Sequence, residues 1–529
     1  MSLDQICFSL VFLGVIIPIL IFIKPKSIVC GMFKDNIEVK ILKEKTFFSV
    51  IVVAIFIGGV SIYALNLFLP LEYRHSDSVG YLNSLIRPVL YSGRFFPLGH
   101  QEFNFLTLEK FGFLGLFSLP FIQSLISIFC LYKLIPLRSN NLKLLLIIPI
   151  FISSLSVSFS NLIIPERNQL FFLLLFLYFT FESTDTRRIK LGLLFASISL
   201  YYKEPTLVIY LAFSAAMIIL KISKNIISYK DILDLKFWYK KLSFELYLLV
   251  MSVLFFISYI IIQSLQTKGE LYTQGGDLIQ YLEYTFSIQG LYHYPFLLLS
   301  LAISIVFIIN GLSSGYLQRA FVLFLGANAY AFGIFALKMP SGFYYFSAAN
   351  LLIFLSCCYV FADMFENSEM LKWKNRSARA IFIVTFVFFT YQTCVISVTQ
   401  LSSSKAKQVR LGVISSYLNE VEGNKDLNIY YNLKEGNYLD YSSSVMNLYI
   451  RTKIDNKFTL YSRSGCYVWH ESNEDGYYQC KKANFNLNDD YDFVIDDTND
   501  NKFKVGYKEY KGSIINSDAV TVYYKSLVE

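Results

Sequence analysis

The sequence predicts an all-α polytopic membrane protein of about twelve transmembrane helices, ending in a small C-terminal α/β exoplasmic domain. The 529 residues are 55% hydrophobic and only 16% charged, and the mean hydropathy is +0.47. Apolar runs of about 17–25 residues, long enough to cross a bilayer core, recur up to residue 400. Beyond that point they stop, which divides the chain into domains 1–400 and 401–529.

The predicted helices follow the apolar runs. They cover about 5–23, 47–70, 112–133, 144–164, 169–182, 242–264, 293–312, 320–337, 344–364 and 380–400. A further stretch, 190–221, is interrupted by Tyr201-Tyr202-Lys203-Glu204-Pro205. As one helix it would be about 48 Å long, whereas the bilayer core is about 30 Å thick. We therefore expect two short helices that meet at Lys203-Glu204.

The distribution of Lys and Arg predicts the orientation. Most of these residues in loops fall in 24–46, 133–143, 182–190, 221–241, 313–319 and 365–379, which are predicted to be cytoplasmic. Loop 71–111, Glu166-Arg167, Lys203-Glu204, Lys338 and the C-terminal domain then lie on the outer side, with the N-terminus. The first apolar stretch lacks a basic leader and a small-residue cleavage site, so we expect a permanent helix.

Residues 401–529 have the pattern of short strands separated by turn residues. Strand-like stretches occur at 428–431, 458–461, 493–495 and 520–524, and an amphipathic helix is predicted at about 404–421. Cys466 and Cys480 are the two of the eight cysteines that lie in this domain. An oxidising outer compartment permits them to pair, and we expect a disulfide. A metal site is disfavoured because His470 is the only nearby histidine.

Several function classes lack their signatures. The sequence contains no Walker loop, no glycine-rich dinucleotide turn and no HExxH, which disfavours an ATP-driven pump and a zinc protease. The net charge is +8 because lysines are concentrated in the predicted cytoplasmic loops, where they would lie beside anionic lipid headgroups. The charge is therefore explained by the membrane, and no nucleic-acid partner is expected. No cofactor is expected. A divalent metal is the open alternative, because two carboxylates on the outer side could bind it together with the phosphate of the donor. The chain has no cytoplasmic domain for a nucleotide-sugar, so any donor must come through the membrane or from the outer side.

Loop 71–111 is the first sizeable polar loop and is rich in titratable groups. It contains Asp77-Ser78-Val79-Gly80-Tyr81 and then Gly93-Arg94. With the many helices and the outer C-terminal domain, this pattern resembles the GT-C glycosyltransferases, whose first outer loop carries Asp-[acidic or small]-x-x-Tyr. It is similar to the phage-type serotype-converting O-antigen glucosyltransferases, in which a Gly-Arg step follows. Ser78 stands where many members have a second acidic residue.

The resemblance implies a GT-C-like helical domain and a lipid-linked sugar donor. The expected reaction transfers a hexose, with glucose the first choice, from polyprenyl phosphate to a hydroxyl of a surface polysaccharide such as O-antigen. It would proceed with inversion on the periplasmic face of a bacterial inner membrane, with the N-terminus and C-terminal domain periplasmic. The expected partners are the polyprenyl-phosphate sugar, a polysaccharide or lipid-linked acceptor, and the bilayer. A lipid-linked oligosaccharide flippase or a polysaccharide polymerase is the alternative.

Asp77 is the predicted catalytic residue. Glycosyl transfer needs a base for the acceptor hydroxyl, and a positioned carboxylate contributes about 10²–10⁴-fold. The alternative is that Asp77 caps a helix beginning near Ser78, because Asp is a favoured N-cap residue. Tyr81 completes the motif and is assigned to substrate binding.

The developing charge on the leaving phosphate requires cationic partners. The outer-side candidates are Arg94, His100, Arg167, Lys203 and Lys338. Lys203 is favoured because a charge between two short helices is held at depth, where charges are functional or paired; pairing with Glu204 is the alternative. Arg94 could instead snorkel to the headgroups.

The remaining candidates are less specific. Glu102 and Glu166 could bind the acceptor or serve as a second carboxylate, and otherwise are solvated loop residues. Tyr344 lies with Lys338 in an aromatic loop tip that could stack on a sugar, or belong to the interfacial aromatic belt.

Overall fold

The computed structural model describes residues 3–23, 95, 97–99, 101–106, 108–159, 164–181, 183, 185–224, 238, 242–265, 283, 287, 294–336, 343–366 and 379–399, together with short strands between 427 and 524. The chain divides into two compact units. The first comprises Met1–Ile62, Pro88–Leu106 and Leu114–Thr399, and the second Tyr63–Arg87, Thr107–Phe113 and Gln400–Glu529. The predicted helices at 47–70 and 404–421 lie outside the described residues.

The described part of the first unit is helical. Its helices are α1 (Leu3–Ile23), α2 (Leu108–Leu134, which belongs to this unit from Leu114 on), α3 (Asn140–Phe159), α4 (Pro165–Thr180), α5 (Thr186–Leu200), α6 (Thr206–Ser223), α7 (Ser243–Leu265), α8 (Phe296–Asn310), α9 (Gly315–Ala336), α10 (Ser347–Glu366) and α11 (Arg379–Thr399). Short 3₁₀ helices cover Gln101–Asn104 and Phe343–Phe346. Wherever an apolar helix was predicted within the described residues, the structure has a helix at that position.

Local signals explain several helix ends. The Asp185 carboxylate accepts from the Arg187 N–H at 2.9 Å and caps α5. Pro165 begins α4, where a missing N–H costs nothing. Helix α8 ends at Gly311, whose φ of 63° is readily adopted by glycine.

The break between α5 and α6 is confirmed at 201–205. Pro205 has no N–H to donate and disfavours helical backbone at the residue before it, so the helix cannot continue through Glu204. The chain resumes as α6 directly after Pro205. The resulting turn places Lys203 in the interior, with 2% of its surface exposed.

Six helices within the described residues are long and apolar enough to cross a membrane: Asn140–Phe159, Thr206–Ser223, Ser243–Leu265, Gly315–Ala336, Tyr344–Phe365 and Arg379–Thr399. Exposed large apolar side chains on α7 and α11, such as Phe256 and Val384, face outward as in a bilayer. These features indicate a multi-pass membrane protein. Helices α5 and α8, with 15 residues each, span only about 22 Å. The count of about twelve spans therefore stays a prediction.

Helices α6 and α9 pack closely at Gly326. A Cβ on this glycine would lie 2.3 Å from Cε1 of Phe213, which is fully buried and stacks on Phe176 at a centroid distance of 6.1 Å. Because the ring is fully buried and packed against Phe176, it cannot move aside cheaply. Small residues at such crossings allow membrane helices to approach.

We expect Gly326→Ala to lower the free energy of unfolding by about 1–3 kcal/mol, the usual cost of overpacking. Gly333→Ala is the matched control, because Gly333 also lies on α9 and gains the same helix propensity on replacement by Ala. Its new Cβ would lie 3.3 Å from Cγ2 of Val208 on α6, which is a milder contact than the one at Gly326. Thermal unfolding in detergent measures both variants. Adding Phe213→Leu should recover part of the loss in Gly326→Ala. Equal melting temperatures for the two alanine variants would contradict the packing account.

The strands described between 427 and 524 belong to the second unit and form a seven-stranded sheet, β1 (Leu427–Asn432), β2 (Phe458–Ser462), β3 (Gly465–Val468), β4 (Tyr478–Cys480), β5 (Phe493–Asp496), β6 (Lys508–Lys511) and β7 (Thr521–Tyr524). The strand order is β4-β3-β2-β1-β5-β7-β6. Strand β1 pairs in parallel with β2 and β5, and the other neighbours are antiparallel. The mixed α/β class stays a prediction, because its predicted helix is not among the described residues.

Cys466 and Cys480 occupy opposite positions of the β3–β4 pair. Such positions have Cα atoms about 4.5–5.5 Å apart, within the range that a disulfide requires. We expect thiol labelling of these two residues only after reduction, read out by peptide mass spectrometry of the denatured chain. Replacing both with Ser should lower the free energy of unfolding by about 3 kcal/mol. Labelling of both thiols without reductant would rule out the disulfide.

Candidate functional site

Four elements of the first unit meet around a cluster of buried charges. They are the 3₁₀ helix Gln101–Asn104, the first turn of α4, the 201–205 turn and the 3₁₀ helix Phe343–Phe346. The Leu98 N–H donates to the Tyr201 carbonyl at 3.2 Å, which ties the segment before the first 3₁₀ helix to the 201–205 turn. The cluster therefore has a fixed protein frame.

Arg167 and Glu102 form the first ion pair. Arg167 Nη2 lies 2.6 Å from Glu102 Oε1, and the exposed fractions of the two side chains are 0% and 14%. The same carboxylate oxygen accepts from Asn168 Nδ2 at 2.7 Å. Gln123 Nε2 in turn donates to Asn168 Oδ1 at 2.8 Å. This chain of side chains fixes the orientation of the Glu102 carboxylate.

Lys203 and Glu166 form the second ion pair. Lys203 Nζ lies 2.5 Å from Glu166 Oε1, and both side chains are 2% exposed. The ammonium also lies 4.6 Å from the centroid of the Tyr345 ring, which contacts the half-buried Tyr344 at 4.3 Å between centroids. The sequence analysis considered only Glu204 as a partner for Lys203. Glu166 was missed because the contact joins two distant elements.

The first turn of α4 is polar on every side. Glu166, Arg167, Asn168 and Gln169 are consecutive and buried. Successive helical residues point about 100° apart, so these side chains reach different neighbours. Gln169 Nε2 donates to Thr206 Oγ1 at 2.8 Å, and the Tyr330 hydroxyl donates to Gln169 Oε1 at 3.4 Å. The turn is thereby linked to α2, α6 and α9 as well as to the two ion pairs.

The Arg167–Glu102 pair leaves polar atoms unsatisfied. Arg167 Nε and Nη1 and Glu102 Oε2 are buried and have no hydrogen-bond partner among the described residues. An unsatisfied buried polar group costs about 1–3 kcal/mol, and more when it is charged. Arginine offers five N–H donors in a fixed plane suited to phosphate or carboxylate. The guanidinium therefore has the capacity to bind an anion in addition to Glu102.

The start of α4 favours the same kind of ligand. Helix N-termini carry a partial positive charge and free N–H groups, which attract anions. Ile164 precedes the helix and supplies no side-chain cap, since its side chain is apolar. Arg167, at the third helical position, adds a full positive charge at that end.

Tyr202 lies beside the first ion pair, in the turn between α5 and α6. Burial raises the pKa of its phenol, the negative charge of Glu102 raises it further, and Arg167 lowers it. The hydroxyl is therefore protonated at neutral pH and available as a donor. Its ring stacks on Phe172 at a centroid distance of 5.7 Å.

Glu102, Glu166, Arg167, Lys203 and Tyr344 are thus brought to one place, as two ion pairs with their aromatic neighbours. Asp77, Tyr81, Arg94, His100 and Lys338 lie outside the described residues. The sequence analysis missed Asn168, Gln169 and Gln123. The signal available was the polar run after Pro165 at the start of an otherwise apolar helix. Within the described ranges no group of three or more His, Cys, Asp or Glu has the arrangement of a metal site.

Comparison with known proteins identifies no relative. No protein-family model, curated protein or solved structure matches the chain. The chemistry of the described residues is therefore the basis for the function proposed next.

Proposed function

We propose that the protein is a membrane glycosyltransferase of the GT-C type, which transfers a hexose from polyprenyl phosphate to a hydroxyl of a surface polysaccharide. The observation that carries this proposal is Arg167, a fully buried guanidinium whose Nε and Nη1 have no hydrogen-bond partner among the described residues of the helical unit. A lipid phosphate has the charge, the acceptor oxygens and the apolar tail that match this environment. The protein would act in a bacterial inner membrane, with the site on the periplasmic face.

In this proposal Arg167 is the principal phosphate ligand. Lys203 is held by Glu166 at 2.5 Å, so much of its charge is already compensated. Among the described residues, Arg167 binds one carboxylate oxygen, that of Glu102, and its Nε and Nη1 have no acceptor. Lys203 contributes a second positive charge, and its ammonium lies over the ring of Tyr345. This ranking differs from the expectation from sequence, in which Lys203 came first.

The proposed reaction is a single displacement. The acceptor hydroxyl oxygen attacks the anomeric carbon and gives up its proton to the carboxylate of Asp77. The bond between the anomeric carbon and the phosphate oxygen breaks, and its electron pair leaves with polyprenyl phosphate. Arg167 stabilises the charge that develops on this leaving group, as fixed cations do in preorganised sites. Attack opposite the leaving group inverts the configuration of the sugar.

Sugar transfer by the purified protein in nanodiscs tests the proposal. The reaction would contain polyprenyl-phosphate glucose and a lipid-linked polysaccharide acceptor, with a nucleotide-glucose as the comparison donor. We expect transfer from the lipid-linked donor only, detected as a mass increase of the acceptor. Other polyprenyl-phosphate hexoses form a second arm, because the sugar is proposed by family resemblance. Binding of the lipid without transfer of any sugar would favour the flippase alternative.

A further inference from the structure

The Arg167–Glu102 pair carries unsatisfied groups of two opposite kinds. Two described donors reach the carboxylate, Arg167 Nη2 at 2.6 Å and Asn168 Nδ2 at 2.7 Å, and both bind the same oxygen, Oε1. The second oxygen, Oε2, is buried without a hydrogen-bond donor from the described part of the chain. The one N–H on Arg167 Nε and the two on Nη1 likewise have no acceptor in the part of the chain that the structure describes. One acceptor and several donors are therefore available side by side.

These two kinds of group restrict the ligand. A simple anion would satisfy Arg167 but would lie next to the free oxygen of Glu102, which would repel it. A cation would satisfy Glu102 and be repelled by Arg167. A ligand that carries an acidic group and a neighbouring hydroxyl satisfies both, because the hydroxyl donates to Oε2 while the acid accepts from the guanidinium. A sugar attached to a phosphate has this chemistry.

We propose that Glu102 is a specificity-determining residue that accepts a hydrogen bond from a hydroxyl of the donor sugar, while Arg167 holds the phosphate to which that sugar is attached. The proposal rests on the proposed function, since it takes the ligand to be a polyprenyl-phosphate hexose. The side chains of Gln123 and Asn168 hold Glu102 in place through Oε1 and leave Oε2 for the ligand.

The arrangement also distinguishes donor from product. The donor is a phosphodiester with one negative charge, whereas polyprenyl phosphate is a monoester with about −1.5 to −2 at neutral pH, as for other phosphate monoesters. After transfer the hydroxyl is gone, and the more negative product lies beside the unsatisfied Glu102 oxygen. Glu102 therefore favours the glycosylated lipid and promotes release of the spent carrier.

The test compares the dissociation constants of polyprenyl-phosphate glucose and unsubstituted polyprenyl phosphate for the full-length protein in nanodiscs. We expect the wild type to prefer the glycosylated lipid by about 10- to 100-fold, the range for a hydrogen bond to a charged group. Glu102→Gln should lose this preference. Its amide oxygen would stay between the donors of Arg167 and Asn168, so its NH₂ group would replace the Oε2 acceptor. Binding of the unsubstituted lipid should be unchanged or tighter.

Glu245→Gln is the matched control. Glu245 is 1% exposed and paired with Lys221 at 2.6 Å, so it is a buried carboxylate in an ion pair outside the cluster. This variant should keep the preference. Deoxy-glucose analogues of the donor, tested on the wild type, provide a measurement that does not depend on the folding of Glu102→Gln. One analogue should bind about 10-fold or more weakly.

Four results are decisive. Retention of the preference by folded Glu102→Gln, or equal binding of all deoxy analogues by the wild type, would overturn the role of Glu102. Binding of both lipids without preference in the wild type would overturn it too, while leaving the phosphate site intact. Failure of the wild type to bind either lipid would reject the proposed function itself.

Discussion

Arg167→Gln should weaken binding of polyprenyl phosphate by about 30-fold or more, the loss expected when a buried, hydrogen-bonded charge loses its partner. The guanidinium is fully buried. In the variant, water could therefore hydrogen-bond to the phosphate in its place only if the helical unit opened. The measurement is the dissociation constant of unsubstituted polyprenyl phosphate in nanodiscs. This ligand reports on phosphate binding alone, because it has no sugar to contact Glu102.

The single substitution also leaves Glu102 buried without its cation, which destabilises proteins by about 3–5 kcal/mol. The double variant Arg167→Gln with Glu102→Gln removes both charges and should recover stability without recovering phosphate binding. Arg319→Gln is the control for loss of a buried arginine, since Arg319 is 1% exposed and is not part of the cluster. Near wild-type lipid binding by the folded double variant would show that Arg167 is structural.

Asp77→Asn should lower kcat for sugar transfer by about 100-fold or more, because an amide cannot take the proton of the acceptor hydroxyl. The substitution separates the two interpretations of this residue. Asn is as good a helix N-cap as Asp, so a capping role would survive the change and a catalytic role would not. The assay is steady-state transfer with both substrates saturating, on protein with an unchanged melting temperature.

Asp185→Asn is the matched control for this experiment. The Asp185 carboxylate caps α5 by accepting from the Arg187 N–H at 2.9 Å, so it is a capping Asp observed in the same chain. We expect its replacement by Asn to leave both stability and kcat near the wild-type values. Comparable activity in Asp77→Asn and Asp185→Asn would leave the enzyme class standing and remove Asp77 from the site.

The positions of the described helices were predictable because local chemistry determines them. Continuous apolar runs favour helices that satisfy their own backbone hydrogen bonds, and this requirement acts on each segment separately. Pro205 acts locally as well, which is why the break between α5 and α6 was expected at the residues where it occurs. The ends of α8 were less predictable. The apolar run predicted a helix over 293–312, whereas the helix begins after Pro295 and ends before Gly311.

The partners in the candidate site were not predictable from the same signals. Arg167 and Glu102 are far apart in sequence, as are Lys203 and Glu166, and their residue types are also common in solvated loops. Glu166 and Glu102 were therefore also interpreted as solvent-exposed, whereas the side chain of the first is 2% exposed and that of the second 14%. The polar run from Glu166 to Gln169 indicated where the site lies, but it did not predict which residues of other elements contact it.

The sequence by itself determined which segments are helical and membrane-compatible, and where the polar residues interrupt them, because hydropathy and proline act over a few residues. Only the tertiary structure decided that Arg167 binds one oxygen of Glu102, with donors left over among the described residues, and that Lys203 pairs with Glu166. Pairing of charges depends on distances and directions between elements that are far apart in the chain. Those distances are set by the packing of α4 against the 201–205 turn and the 3₁₀ helix at Gln101–Asn104, and no local pattern encodes them.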